Sequence, residues 1–237
     1  YDEEKTQIVL TAPAEVSEGS FKVFVTGSDA SGRLYRTSLL CSSLGYVDPL
    51  TTFVLNEGNA FGGEMGFMGY VSPTGQYLDK PFFAINGQDL GVLSQDMGYA
   101  SDKLYVIAQG SYGATDGTLT VMDCRTLRMT ARYKSELTDV NTPTHLAILD
   151  DDHIYIRHEG GVSRFSEQTK KTTFVEGSER ADKNTMLTLD GKVFFHSSMT
   201  LCVVEGGDKV DQKVDFPGII SGIAKADDGH LYVSYST

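Results

Sequence analysis

Apolar residues fall in short runs along this chain, each closed by Gly, Asp, Asn or Ser, and no stretch keeps the 3.6-residue rhythm of an amphipathic helix. One short text recurs: an apolar residue or Thr, an aromatic, then another apolar residue. Its five copies are Thr52-Phe53-Val54, Leu104-Tyr105-Val106, Ile154-Tyr155-Ile156, Val193-Phe194-Phe195 and Leu231-Tyr232-Val233. The central aromatics stand 52, 50, 39 and 38 residues apart. Four copies follow Asp-rich or Asp-Gly turns: Ser101-Asp102-Lys103, Asp150-Asp151-Asp152-His153, Asp190-Gly191-Lys192 and Asp227-Asp228-Gly229-His230. Asp and Gly accept the backbone angles of tight hairpins.

A second strand follows each of the first four copies, often beginning at Gly, as in Gly66–Val71, Gly117–Asp123, Gly161–Phe165 and Thr200–Val204. Polar turns lead from these to a third strand such as Met129–Tyr133 or Lys213–Phe216, and a fourth precedes the next turn, as in Thr144–Leu149 or Ser221–Ala226. Four short strands repeated at about 40–50 residues are the text of a propeller blade. An ordinary β-sandwich would have to repeat one aromatic signature after the same kind of turn five times by coincidence. The expected fold is therefore all-β, a β-propeller of four-stranded blades over residues 51–237. Residues 1–50 form an N-terminal β segment, either closing strands or a small Ig-like module around Thr11–Val16.

Composition narrows the partners. The 237-residue chain carries a formal charge of -12, which disfavours phosphate backbones, so no nucleic acid is expected. No window reads as a membrane-spanning helix and no signal peptide is visible. The cysteines Cys41, Cys124 and Cys202 show no metal spacing; buried free thiols are the simpler reading of Cys124 and Cys202, with a disulfide left open.

The text Leu104-Tyr105-Val106 followed by Gly117–Asp123 resembles the YVTN-type propeller repeat. The opening Phe53-Val54-Leu55-Asn56-Glu57-Gly58-Asn59, continuing through Tyr70–Gly75, Ile85-Asn86-Gly87 and Ser94-Gln95-Asp96, resembles surface-lipoprotein propellers of Bacteroidetes-type bacteria, many of them known only as a domain of unknown function. The resemblance covers about residues 50–237. It implies about seven blades and a lipid anchor on the outer membrane (the alternative being a periplasmic protein). It also implies work beside a TonB-dependent transporter, with cobalamin-capturing surface proteins among the relatives. Asp2-Glu3-Glu4 fits an acidic export signal, although no lipobox cysteine is present. Only about four repeats follow residue 50, so either the chain is incomplete or residues 1–50 close the ring; a bare sheet edge argues for the former.

With strands labelled a to d from the inside of a blade outward, the aromatic strand is b. The b–c and d–a loops then share the face at the mouth of the central channel, where function tends to collect, and the tight a–b turns lie opposite. That face offers aromatic platforms in Phe61 and Tyr112, amides and carboxylates in Asn56, Glu57, Asn59, Asn86, Asp89 and Asn141, and cations in Arg157 and Arg180, with His158 beside them. Apolar surface with convergent polar groups suits a small molecule or a glycan.

Catalytic signatures are sparse. His153 and His230 occupy the same place after Asp-rich turns and read as surface residues; His158 and His196, with Glu159, form a weak metal candidate. The Asp runs lack the ligand spacing of a calcium loop. No nucleophile elbow, P-loop or dinucleotide fingerprint occurs, and acidic pairs such as Glu57 with Asp89 are hydrolytic candidates. No cofactor is expected. The expected function is non-enzymatic capture of a nutrient, a corrinoid or a glycan, for the transporter. A lactonase- or lyase-type propeller enzyme and a protein-interaction scaffold are the alternatives.

Overall fold

A computed structural model describes residues 19–43, 45–111 and 117–237. The expected strand at 7–10 and the Ig-like text at 11–16 lie outside the described residues. A hairpin of β1 (Gly19–Ser28) and β2 (Leu34–Ser43) comes first. A three-stranded sheet follows, of β3 (Thr52–Asn56), β4 (Phe67–Val71) and β5 (Tyr77–Leu78), and then the six-residue helix α1 (Pro81–Asn86).

Three complete four-stranded antiparallel sheets come next. The first holds β6 (Ser94–Ala100), β7 (Lys103–Ala108), β8 (Thr118–Asp123) and β9 (Met129–Tyr133). The second holds β10 (His145–Asp150), β11 (His153–His158), β12 (Gly161–Ser166) and β13 (Lys171–Phe174). The third holds β14 (Leu187–Leu189), β15 (Lys192–Ser197), β16 (Thr200–Val204) and β17 (Gln212–Asp215). A hairpin of β18 (Ile219–Lys225) and β19 (Leu231–Ser236) ends the described chain. The first strands β6, β10, β14 and β18 touch one another in succession, so they form the inner wall of a β-propeller. In the three-stranded sheet, β3 has the text of a b strand and is the innermost strand present.

The b and c strands of the four-stranded sheets are covered on both faces, and the strand period of two decides which residue goes where. Tyr105 and Ile107 point forward and pack with Leu146, Ile148, Ile154, Ile156 and Phe165 of the next blade. Leu104 and Val106, one step out of phase, pack backward with Met68, Phe82 and Leu90. The same alternation sends Tyr155 forward with Val193 and Phe195, and Phe194 forward with Ile220, Ile223 and Val233. Because both faces are covered, β7 and β11 read as continuous apolar runs rather than alternating ones.

The five signature aromatics are thus equivalent in strand and direction but unequal in burial. Tyr105 and Tyr155 are fully buried, Phe53 and Phe194 half-buried, and Tyr232 is 57% exposed. Tyr232 would pack on a following blade, and no described residue supplies one. Inner strands crowd where the wedges taper: a Cβ on Gly98, opposite Tyr105, would lie 2.7 Å from Ile148 Cδ1.

The tight a–b turns form as the Asp/Gly text dictates. Ser101 and Asp102 both have positive φ, as do Asp190 and Gly191. Polar ties then lock neighbouring blades at this end. Asp151 and Glu167 of the second four-stranded sheet each accept a 2.9 Å hydrogen bond from the Tyr105 hydroxyl, and Lys103 Nζ lies 2.6 and 3.0 Å from the same two carboxylates. Glu167 also accepts from the Tyr133 hydroxyl at 3.0 Å. One blade on, the Tyr155 hydroxyl donates to Gly207 O at 2.9 Å, and Arg164 pairs with Asp208. Among the inner strands, Asp96 accepts the Leu146 N–H at 2.9 Å, and burial raises its pKa.

α1 is absent from the sequence expectation, because six residues are too few for a 3.6-residue rhythm to register. It starts at Pro81, which suits a first helical turn, and ends at Gly87 with φ 65°.

Candidate functional site

The loops that follow strands b and d lie at one end of the blades, called here the upper face. One of them joins β3 to β4. Asn59 closes it: its backbone exchanges two 2.9 Å hydrogen bonds with Glu64, and its Oδ1 accepts from the amides of Phe61 (3.1 Å) and Gly62 (3.0 Å). Gly58 is required here, since a Cβ would fall 2.7 Å from Glu64 O. At the tip of this tied loop the Phe61 ring is 96% exposed. Glu57, at the base, accepts from Gln95 Nε2 on the inner strand β6, and its carbonyl accepts the Ser94 N–H at 3.1 Å.

Other expected site residues divide into two groups. Asn141 and Arg180 present exposed side chains on the d–a loops, while Asp89 on such a loop and Asn56 at the end of β3 are half-buried. Arg180 borders a cavity of about 180 Å³ with Glu179, Ser197, Thr200 and Lys213. Tyr112 lies outside the described residues.

The second group is built into the scaffold. Asn86 donates to Phe82 O (2.9 Å) and Leu127 O (2.8 Å) and accepts from Met129 N–H (2.8 Å), so it fastens α1 to the c–d turn of the next blade instead of facing a ligand. Arg157 is half-buried and donates through Nε to Ala181 O at 3.2 Å. His158 is 3% exposed; its Nδ1 accepts the Gly160 N–H at 3.2 Å and its Nε2 meets Ser163 Oγ at 2.9 Å. Those partners fit a neutral ring, and burial, then the Arg157 charge, lowers its pKa to about 4. His196, at the position in β15 that matches Arg157 in β11, is buried 3.0 Å from an Asp182 oxygen without hydrogen-bond geometry. No cluster of three metal-ligating groups occurs among the described residues. His153 and His230 sit by their turn aspartates, at 2.7 Å from Asp150 and 3.2 Å from Asp228. Cys124 and Cys202 are buried free thiols, and the side chain of Cys41 lies outside the described residues.

Sequence reasoning missed His145, at the upper end of β10. It contacts Thr144 Oγ1 at 3.0 Å, and burial with the nearby Arg157 and Lys183 charges lowers its pKa to about 4. It also missed two cavities at the opposite, lower end of the blades. One, of about 520 Å³, lies between successive a–b turns and is lined by Asp150, His153, Leu189, Asp190 and Lys225. The other, of about 540 Å³, lies beside the residue 45–51 segment. No local text marks either, because each is a gap between segments that meet only in the fold.

A family model described as "Domain of unknown function (DUF5074)" matches residues 51–237. No curated protein matches the chain in sequence. Among solved structures, a quinonprotein alcohol dehydrogenase-like protein from Bacteroides thetaiotaomicron is similar at a TM-score of 0.61 and 12% identity, over 92% of this chain and 60% of that one. BamB from Moraxella catarrhalis is similar at a TM-score of 0.55 and 14% identity, over 80% of this chain and 52% of that one. A gluconolactonase from Xanthomonas campestris is similar at a TM-score of 0.52 and 12% identity, over 89% and 68%. The chain therefore spans 60% and 52% of the first two structures. At these identities the likeness is one of fold.

Proposed function

From the premise that this chain belongs to the DUF5074 family, we propose that it is a non-enzymatic ligand-binding β-propeller that holds a ring-bearing small molecule on its upper face. The observation that carries this reading is Phe61, a ring 96% exposed on a loop whose backbone is tied by Asn59. An exposed aromatic on an ordered loop offers stacking area at little conformational cost on binding. Glu57, Asp89, Asn141 and Arg180 supply polar contacts on the same face. The use of Arg157 and His158 as hydrogen-bonded scaffold supports binding over catalysis, since neither is held ready for proton transfer.

The proposed biological setting is nutrient capture at the bacterial surface, a corrinoid or a glycan being passed to a TonB-dependent transporter, with the protein held by a lipid anchor outside this chain. Among the described residues no helix is long and apolar enough to cross a membrane. Titration calorimetry of the chain with cyanocobalamin, cobinamide and a panel of oligosaccharides tests the proposal. Binding to one class that Phe61→Ala weakens by about tenfold is the expected result, consistent with about 1–1.5 kcal/mol for a stacked ring. A folded chain that binds none of them, or binds one unchanged in Phe61→Ala, rejects it.

A further inference from the structure

On the lower face, at the other end of the blades from Phe61, the segment before β3 meets the first turns of the β6–β9 blade around a cavity of about 540 Å³. It is lined by Tyr46, Phe53 and Tyr99 together with Leu104, and Asp48 is the one charged residue among those that line it. No Lys, Arg or His is among them. A pocket lined by three aromatic residues and one acidic residue is matched to positive charge on an apolar body.

The walls are held in place. Tyr46 stands edge-on to Tyr70 at 4.9 Å between ring centres and lies 6.3 Å from Phe53. The segment bearing Tyr46 is tied by Tyr70, whose hydroxyl donates to Gly45 O at 3.3 Å, and by the Thr51 N–H to Asp48 O at 2.9 Å. Asp48 Oδ1 accepts the Leu50 N–H at 2.9 Å, which fixes the carboxylate. Tyr99, 60% exposed, donates its hydroxyl to Asp102 at 3.2 Å. Arg125 is 3.9 Å from Asp102, with both side chains 68% exposed. The chain's charge of -12 adds a field that draws cations to the surface.

We propose that this cavity binds an organic cation, a quaternary ammonium group carried on a small apolar body. The site is separate from the upper-face site and stands or falls without it. Ring faces attract a poorly hydrated cation more than its neutral isostere, and the Asp48 carboxylate adds to that preference.

The test is calorimetric titration of the 237-residue chain with choline chloride and with its uncharged carbon isostere, 3,3-dimethylbutan-1-ol. Choline binds, and the isostere binds at least about tenfold more weakly. Tyr99→Leu keeps apolar bulk at a largely exposed position; it weakens choline by about tenfold and leaves the isostere unchanged. Asp48→Asn weakens choline several-fold, and Phe61→Ala leaves choline affinity as it was. Equal affinity for the two probes, no choline binding by the folded chain, or loss of choline binding in Phe61→Ala overturns the proposal. Comparing charged and uncharged probes on the unmutated chain keeps the test decisive even where a variant folds poorly.

Discussion

Tyr105 and Tyr232 occupy the same place in the same repeat, yet one is fully buried and the other 57% exposed. Both stand on b strands, in register with a small residue on the inner strand, Gly98 for Tyr105 and Ala224 for Tyr232. Each directs its hydroxyl to the turn end of the sheets. The Tyr105 hydroxyl reaches Asp151 and Glu167 of the following blade, whereas that of Tyr232 turns back to Asp228 of its own hairpin at 3.1 Å. The aromatic is therefore a seal between blades, and its energetic value belongs to the pair of blades rather than to the strand that carries it. An isolated sheet would gain little from this residue.

The largest test of that contrast is removal of the ring. Tyr105→Ala should cost about 3–5 kcal/mol in guanidinium unfolding, and Tyr232→Ala about 0.5 kcal/mol or less. Equal losses would break the comparison. Removing only the hydroxyl separates the polar tie from the packing: Tyr105→Phe should cost about 1–2 kcal/mol, because Asp151 and Glu167 lose a buried donor, and Tyr232→Phe close to nothing.

Buried His158 and half-buried His145 provide a pH-dependent form of the same contrast. The folded pKa of His145 and of His158 is about 4, below the ordinary value of 6.5. Between those values the unfolded chain binds the extra protons, so the stability these rings contribute is present above pH 6.5 and is lost as the pH falls toward 4. Each contributes a slope of up to about 1.4 kcal/mol per pH unit. His158→Gln should flatten the profile of unfolding midpoint against pH over that window; an unchanged slope would mean that His158 is not held neutral. The smallest effect is expected at Phe61, where Ala should leave stability within about 0.5 kcal/mol while ligand binding falls. A large loss of stability there would assign the ring to folding instead.

Much of the blade plan was legible because its signals are local. The Asp-Gly turns, the apolar b and c strands and the bounds of β9 follow from turn chemistry and residue type, whereas β11 runs on through Arg157 and His158, which read as loop. Within the candidate site the text was less informative. Asn59 and Phe61 sit on a loop as read, but Asn86 and His158 are indistinguishable in sequence from ligand-facing residues. Their roles come from Leu127 and Met129, some 40 residues away in the chain, and from Ser163 on the neighbouring strand. α1 escaped notice because it is shorter than two turns.

The repeat and the order of strands within each blade could be read from the residues, since both depend on backbone preference and turn chemistry. Packing between blades set which neighbour each signature aromatic faces, how deeply each ring is buried, which polar groups are already hydrogen-bonded and where cavities open. Those properties depend on distances between blades, and no single blade's text contains the surface of its neighbour.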